Sequence, residues 1–276
     1  MIITILAICS GRGFCYAFSC KAPEENKTVY MKGYTTMNRD IFIRNLTGDR
    51  IELSPKGRNA NELSVEEFEQ NYENFFEMIF EIAATDIKGI EGYGEFDENN
   101  EAPYKTFKEF VEATFDEKQE GYWHNWTQMF ETTFLKKDYF DSIYAKVMQY
   151  ADFCEDQRFL ANNNTFFCNM LVDEEGKTYC ADWGRAGIMD FLMDFAILDL
   201  NKPYLLVPEK LYDYAKTNNI EIKNFRERFL CMAYLKGLHT LMWHSSIDDL
   251  ESCESITRSI NELEDRMNKL ADKYAV

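Results

Sequence analysis

Histidine, proline and paired cysteines are scarce in this chain, and each scarcity closes a class of function. Three His and five Pro stand among 276 residues. His239 and His244 are five apart, out of register for the four-residue spacing of a helical zinc site. Eight Cys, at 9, 15, 20, 154, 168, 180, 231 and 253, include no C-x-x-C pair. Zinc-ribbon and thioredoxin-type chemistry is thereby excluded. These Cys read as reduced, mostly buried thiols of a cytoplasmic protein. No apolar run approaches the roughly 18–20 residues that cross a bilayer, so no membrane span is expected. The apolar start at Ile2–Ile8 has no basic flank before it and no small-x-small cleavage site after it. It reads as a buried strand rather than a signal peptide. Positive charge is also short, with 30 Lys and Arg against 48 Asp and Glu, a net charge of −18. Nucleic-acid binding needs basic patches and is not expected. A cationic partner, or plain solubility, suits such a surface better.

What is present is apolar and aromatic. Residues of the apolar set make up 46% and aromatics 15%, which implies a core rich in Phe and Tyr. A chain of this length can bury such a core without disulfides. Ile2–Ile8, Phe14–Ser19 and Thr28–Tyr34 read as strands, punctuated by Gly11 and Gly13 and by a turn at Ala22–Asn26. Ile41–Arg44 and Arg50–Leu53 suit a further hairpin. Near residue 60 the pattern turns helical. Ser64 and Glu67 form a capping box, and Val65, Phe68, Tyr72, Phe75, Ile79 and Ala83 recur at helical spacing. Residues 87–104 read as a loop. The stretch from Glu62 to Glu101 holds 13 acids against one Lys, either a solvated face or a rim that attracts a cation. Helices are expected over Thr106–Phe115 and Asp138–Phe153, over the apolar Phe225–Trp243, and from about Asp248 to the end. The aromatic stretch Gly121–Trp126 suits a core position or a wall for a sugar ring.

The most informative segment follows residue 158. Phe159–Ala161 is a short apolar run, and Asn162–Thr165 a polar loop. Asn169–Asp173 and Thr178–Asp182 flank Glu174–Lys177, which makes a β-hairpin with Asn169 at its entrance and Asp182 at its exit. The two ends of a hairpin are adjacent, so an amide oxygen and a carboxylate come side by side, a pairing suited to a hard cation such as Mg²⁺.

These residues resemble the aminoglycoside phosphotransferase family. Its motif H-x-D-x-x-x-x-N, then strand, turn, strand and D-W, is matched in spacing by Asn162 through Asp173 and by Cys180-Ala181-Asp182-Trp183. Ala186, Asp190 and Asp194-Phe195-Ala196 match later family positions. Gly92–Phe96, Tyr104–Phe110 and Tyr122–Met129 are similar to the helical part of the hygromycin B phosphotransferase group. The resemblance implies an α+β, protein-kinase-like bilobal fold. Residues 1–60 would be a trimmed, β-rich nucleotide lobe, and residues 61–276 a helical catalytic and substrate lobe. It implies ATP or another nucleoside triphosphate, Mg²⁺ held by Asn169 and Asp182, and Lys32, Gly11 and Gly13 toward the phosphates. The acceptor would be a small, cationic, hydroxylated molecule.

Asn164 stands where the family has its catalytic Asp, and Asn162 where it has a His that braces the loop. An amide cannot take a proton, and loss of that role costs on the order of 10² to 10⁴ in rate. Two readings follow: an impaired phosphotransferase, or a pseudoenzyme that keeps the fold for binding or regulation. The sequence does not fix the oligomeric state.

Overall fold

The computed structural model describes residues 2–10, 13–21, 28–32, 57–97, 99–180 and 182–274, the first three stretches as backbone only. The architecture is α+β, with three small sheets and a larger helical part. The chain divides into two compact units, Met1–Pro103 with Phe159–Ile188, and Tyr104–Arg158 with Met189–Val276.

In the first unit, β1 (Ile2–Ser10) pairs antiparallel with β2 (Gly13–Lys21), and β2 with β3 (Thr28–Lys32). The three expected strands therefore form one meander. Gly13 opens β2 opposite Ser10, and Lys32 closes β3 opposite Ala17. Gly11, the Ala22–Asn26 turn, the Ile41–Leu53 hairpin and the Lys32 side chain lie outside the described residues.

Two further sheets build the region around the hairpin. β4 (Arg58–Asn59), β7 (Met170–Val172) and β8 (Thr178–Cys180) form one, and β5 (Gly94–Glu95), β9 (Gly187–Met189) and β6 (Phe159–Ala161) the other. β7 and β8 pair antiparallel with Met170 opposite Cys180, so the hairpin is the one expected. β5 falls inside the segment read as loop, because two residues carry no periodicity.

α1 (Val65–Ala83) begins at the expected capping box. Ser64 Oγ accepts from the Glu67 amide at 3.2 Å, and Glu67 Oε2 accepts from the Ser64 amide at 2.8 Å. Phe68, Phe75 and Ile79 are buried, but Val65 is 47% exposed. As the first helical residue, Val65 lies ahead of the turn where Phe68 first enters the core. Phe68 and Phe75 pack on Phe167, with ring centroids 5.6 and 6.0 Å away. Asn74 Nδ2 donates to the Gly176 carbonyl at 2.8 Å and fastens the hairpin tip to the same helix.

The second unit holds α2 (Phe107–Thr114), capped by Thr106, then α3 (Met129–Thr132), α4 (Lys137–Tyr150), α5 (Leu192–Asn201), α6 (Val207–Thr217), α7 (Phe225–Ser246) and α8 (Leu250–Tyr274). α5 and α7 are buried nearly all round and form its core. The expected terminal stripe on α8 buries Ile256, Ile260, Leu263, Met267 and Leu270. Gly237 lets α7 and α8 approach closely, since a Cβ there would lie 2.6 Å from Ile260 Cδ1. Arg228 and Asp190, 3% and 0% exposed, form a two-pronged ion pair at 2.7 and 2.8 Å. Asp190 also caps α5 through the Leu192 amide. Trp126 is a core residue whose Nε1 donates to the Phe115 carbonyl, whereas Tyr122 is exposed. No helix among the described residues is long and apolar enough to cross a membrane.

Candidate functional site

The loop between β6 and β7 and the residues just after β8 converge on Asn164. Asn162, the first loop residue, is fully buried. A buried amide must be answered on both sides. Its Nδ2 donates to the Asp182 carbonyl at 3.1 Å, and its Oδ1 accepts from the Asn164 amide at 3.0 Å. Asn163 adopts φ +56°, in the left-handed region that Asn tolerates better than other side chains. Its own amide donates to Glu95 Oε1 at 2.9 Å.

Asn164 binds both expected metal ligands. Its Nδ2 donates to Asp182 Oδ2 at 2.7 Å, and its carbonyl accepts from Asn169 Nδ2 at 2.9 Å. Asp182 is itself left-handed, φ +57°, and its Oδ1 accepts from the Gly184 amide at 3.2 Å. Asn163 and Asp182 are two of nine non-glycine residues at positive φ among the described residues, eight of them Asn or Asp, whose short polar side chains tolerate this region. The loop is seated from below by the Phe167 ring on α1 and by Asn59, whose Nδ2 donates to the Cys168 carbonyl at 2.8 Å.

The chemistry of this donor set fits a hard divalent cation. Asp182 supplies a carboxylate and Asn169 an amide oxygen, both oxygen ligands of the kind Mg²⁺ takes. Each carboxylate oxygen has two lone pairs, so the Asn164 bond to Asp182 does not by itself exclude a cation. No group of three or more His, Cys, Asp or Glu is placed to hold a metal ion among the described residues. Mg²⁺ sites that share phosphate oxygens need only one or two carboxylates. Cys168 is exposed, and its thiol pKa is raised, first by partial desolvation and then by the Asp182 charge, against a backbone hydrogen bond that lowers it; this works against a nucleophilic role.

Two residues outside the expected set belong here. Glu95 Oε1 accepts from Asn163 and from Arg185, whose Nε and Nη2 lie 2.9 and 2.6 Å away. Glu95 was one acid among many in an acidic stretch, and only its pairing with β9 distinguishes it. Gly13 and Lys32 are placed by their strands alone, and Gly11 lies outside the described residues.

No protein-family model and no curated protein matches the chain. Solved structures do. The apo form of a thermostable mutant of the aminoglycoside phosphotransferase APH(4)-Ia matches with a TM-score of 0.66 at 16% identity, over 96% of this chain and 95% of that one. A variant of the same phosphotransferase in a ternary complex with AMP-PNP and hygromycin B matches at 0.66 and 15%, over 97% and 95%. The choline kinase LicA from Streptococcus pneumoniae matches at 0.51 and 12%, over 95% and 94%. At such identities the likeness establishes the fold, which is the one shared by aminoglycoside phosphotransferases and choline kinases.

Proposed function

We propose that the chain belongs with the aminoglycoside phosphotransferases and transfers a phosphoryl group from ATP to a hydroxyl of a small cationic molecule in the cytoplasm, at a rate impaired by Asn164 in the position of the family's catalytic Asp. One observation carries this reading. In a chain that shares its fold with a phosphotransferase over 96% of its length, Asn164 bonds Asp182 through its side-chain amide and Asn169 through its main-chain carbonyl. Asp182 and Asn169 would hold Mg²⁺, which neutralises charge on the phosphates. Residues 1–60 would form the nucleotide lobe, with Lys32 toward the phosphates and Gly11 and Gly13 in the covering turn. Residues 61–276 would carry the catalytic loop and the acceptor site. The acids between Glu62 and Glu101 would attract the acceptor, an effect that salt screens over about 8 Å at physiological ionic strength.

A second reading is a nucleotide-binding pseudoenzyme, motivated by the identity of Asn164. Its amide donates to Asp182, and an amide takes no proton in any orientation. The test is steady-state ATP consumption with a panel of aminoglycosides and choline, wild type beside Asn164→Asp. If Asn164 occupies the base position of a disabled enzyme, the variant turns over at least about 10²-fold faster. Equal activity in both proteins would defeat that assignment. Nucleotide binding without turnover in either would select the pseudoenzyme.

A further inference from the structure

We propose that Glu95 is the positioning residue that clamps the two halves of this site together. Its functional readout rests on the phosphotransfer reading; its structural readout does not. Asn163 immediately precedes Asn164, and Arg185 follows Asp182 by three residues. Both donate to the same oxygen, Glu95 Oε1. One carboxylate therefore ties the loop that carries Asn164 to the segment that carries Asp182. The 2.7 Å bond between Asn164 and Asp182 closes the same ring of contacts.

The position of that carboxylate is fixed by backbone. Glu95 pairs with Gly187 in the β5–β9 ladder, and the next residue, Phe96, donates its amide to the Ala186 carbonyl at 3.0 Å. A Cβ on Gly187 would come 2.1 Å from the Gly94 carbonyl oxygen and 2.6 Å from Glu95 Cα. Only glycine permits this approach, so Glu95 projects from a strand pressed directly against its neighbour. A group held on a rigid element positions its partners more tightly than one on a loop. The partners need such an anchor. Asn163 is 3% exposed and sits at positive φ, so its amide must be answered in one fixed place. Arg185 and Glu95 are each about one-third exposed. An ordinary surface pair of that kind contributes little to stability, so the clamp acts on position more than on global stability.

The test compares wild type with Glu95→Ala, Glu95→Gln and Arg185→Met. Amide hydrogen exchange is read for peptides covering 162–169, 182–187 and α1, alongside the gain in ATP affinity that Mg²⁺ produces. Glu95→Ala is expected to raise exchange at both site segments and leave α1 protected. It should also cut the Mg²⁺-dependent gain about 10- to 100-fold, the usual loss when a group supporting a metal ligand is removed. Glu95→Gln keeps an acceptor for Asn163, so 162–169 stays protected while 182–187 loosens, as it does in Arg185→Met. If Glu95→Ala fails to fold, these two variants carry the test. Unchanged exchange in 162–169 and 182–187, or an equal rise across α1, would overturn the clamp. A lower Tm with an unchanged Mg²⁺ gain would do the same. Should the wild type bind no ATP at all, the proposed function fails, and the exchange pattern alone decides for or against the clamp.

Discussion

Replacing Asn164 by Asp sets two carboxylates against each other across a gap the wild type closes with a hydrogen bond. Asn164 Nδ2 and Asp182 Oδ2 are 2.7 Å apart. At that separation two full charges repel by about 6 kcal/mol for an effective dielectric constant of about 20. Rotation of the new side chain lowers this upper bound. The pair also escapes it by retaining one proton, as close carboxylate dyads do. The lost bond to a charged group costs about 1.5–3 kcal/mol in itself. In the folded variant the dyad's upper pKa is raised above the unfolded value of about 3.9. The folded state then holds more protons than the unfolded one between those two values, so stability falls as pH rises through that window. The variant should match the wild type most nearly at pH 5, where a shared proton restores an O–H···O bond. At pH 8 without Mg²⁺ it should lose about 2–3 kcal/mol, and a chain of this size loses roughly 2–4 °C in Tm per kcal/mol. Mg²⁺ at pH 8 should recover most of the loss, because a bound cation compensates the added charge. The assay is a thermal melt of both proteins at pH 5 and 8, with and without Mg²⁺. An Asp variant as stable as the wild type at pH 8 in the absence of Mg²⁺ would refute the contact on which the reasoning stands.

Other outcomes follow from the packing beneath the site and in the helical unit. Phe167→Ala removes a ring 1% exposed that seats the loop on Phe68 and Phe75; denaturant melts should show a loss of about 3–5 kcal/mol. Arg228→Met leaves the fully buried Asp190 without its two-pronged partner, and the same measurement should show a loss of about 3–5 kcal/mol. Removing both charges, with Asp190→Leu added, should cost less than Arg228→Met alone. Glu264 on α8 is held below its ordinary pKa of 4.5, first by the hydrogen bond from Lys146 on α4, against the opposing effect of burial, with Tyr234 on α7 assisting. A depressed carboxylate stabilises the fold above its unfolded pKa and loses that contribution as pH falls through its folded value. Glu264→Gln should therefore be less stable than wild type at pH 7, and the difference in Tm should shrink as pH is lowered from 5 to 3.

What could be read from the sequence was what local chemistry specifies. The α1 start is set by Ser64 and Glu67, three residues apart, and the β7–β8 hairpin by a polar turn between two apolar runs. That Asn169 and Asp182 lie at the two ends of one hairpin follows from that pairing. Their joining through Asn164 does not, because it depends on the left-handed turns at Asn163 and Asp182. β5 was invisible for a different reason. A two-residue strand has no period, and its partner Gly187 is remote in sequence. Glu95 was hidden with it, one of 13 acids with no local mark of its role. Val65 fits the helical period yet faces solvent, since periodicity gives the face of a helix and not the point at which that face becomes covered.

The central claim is that this chain binds a nucleotide through a cation held by Asp182 and Asn169. Isothermal calorimetry with ATP, with and without Mg²⁺, on wild type and Asp182→Asn, tests it most directly. The account predicts binding by the wild type that Mg²⁺ strengthens, and loss of that strengthening in Asp182→Asn with the fold intact. No binding of ATP by the wild type under either condition, or an Mg²⁺ effect that survives in Asp182→Asn, would contradict it.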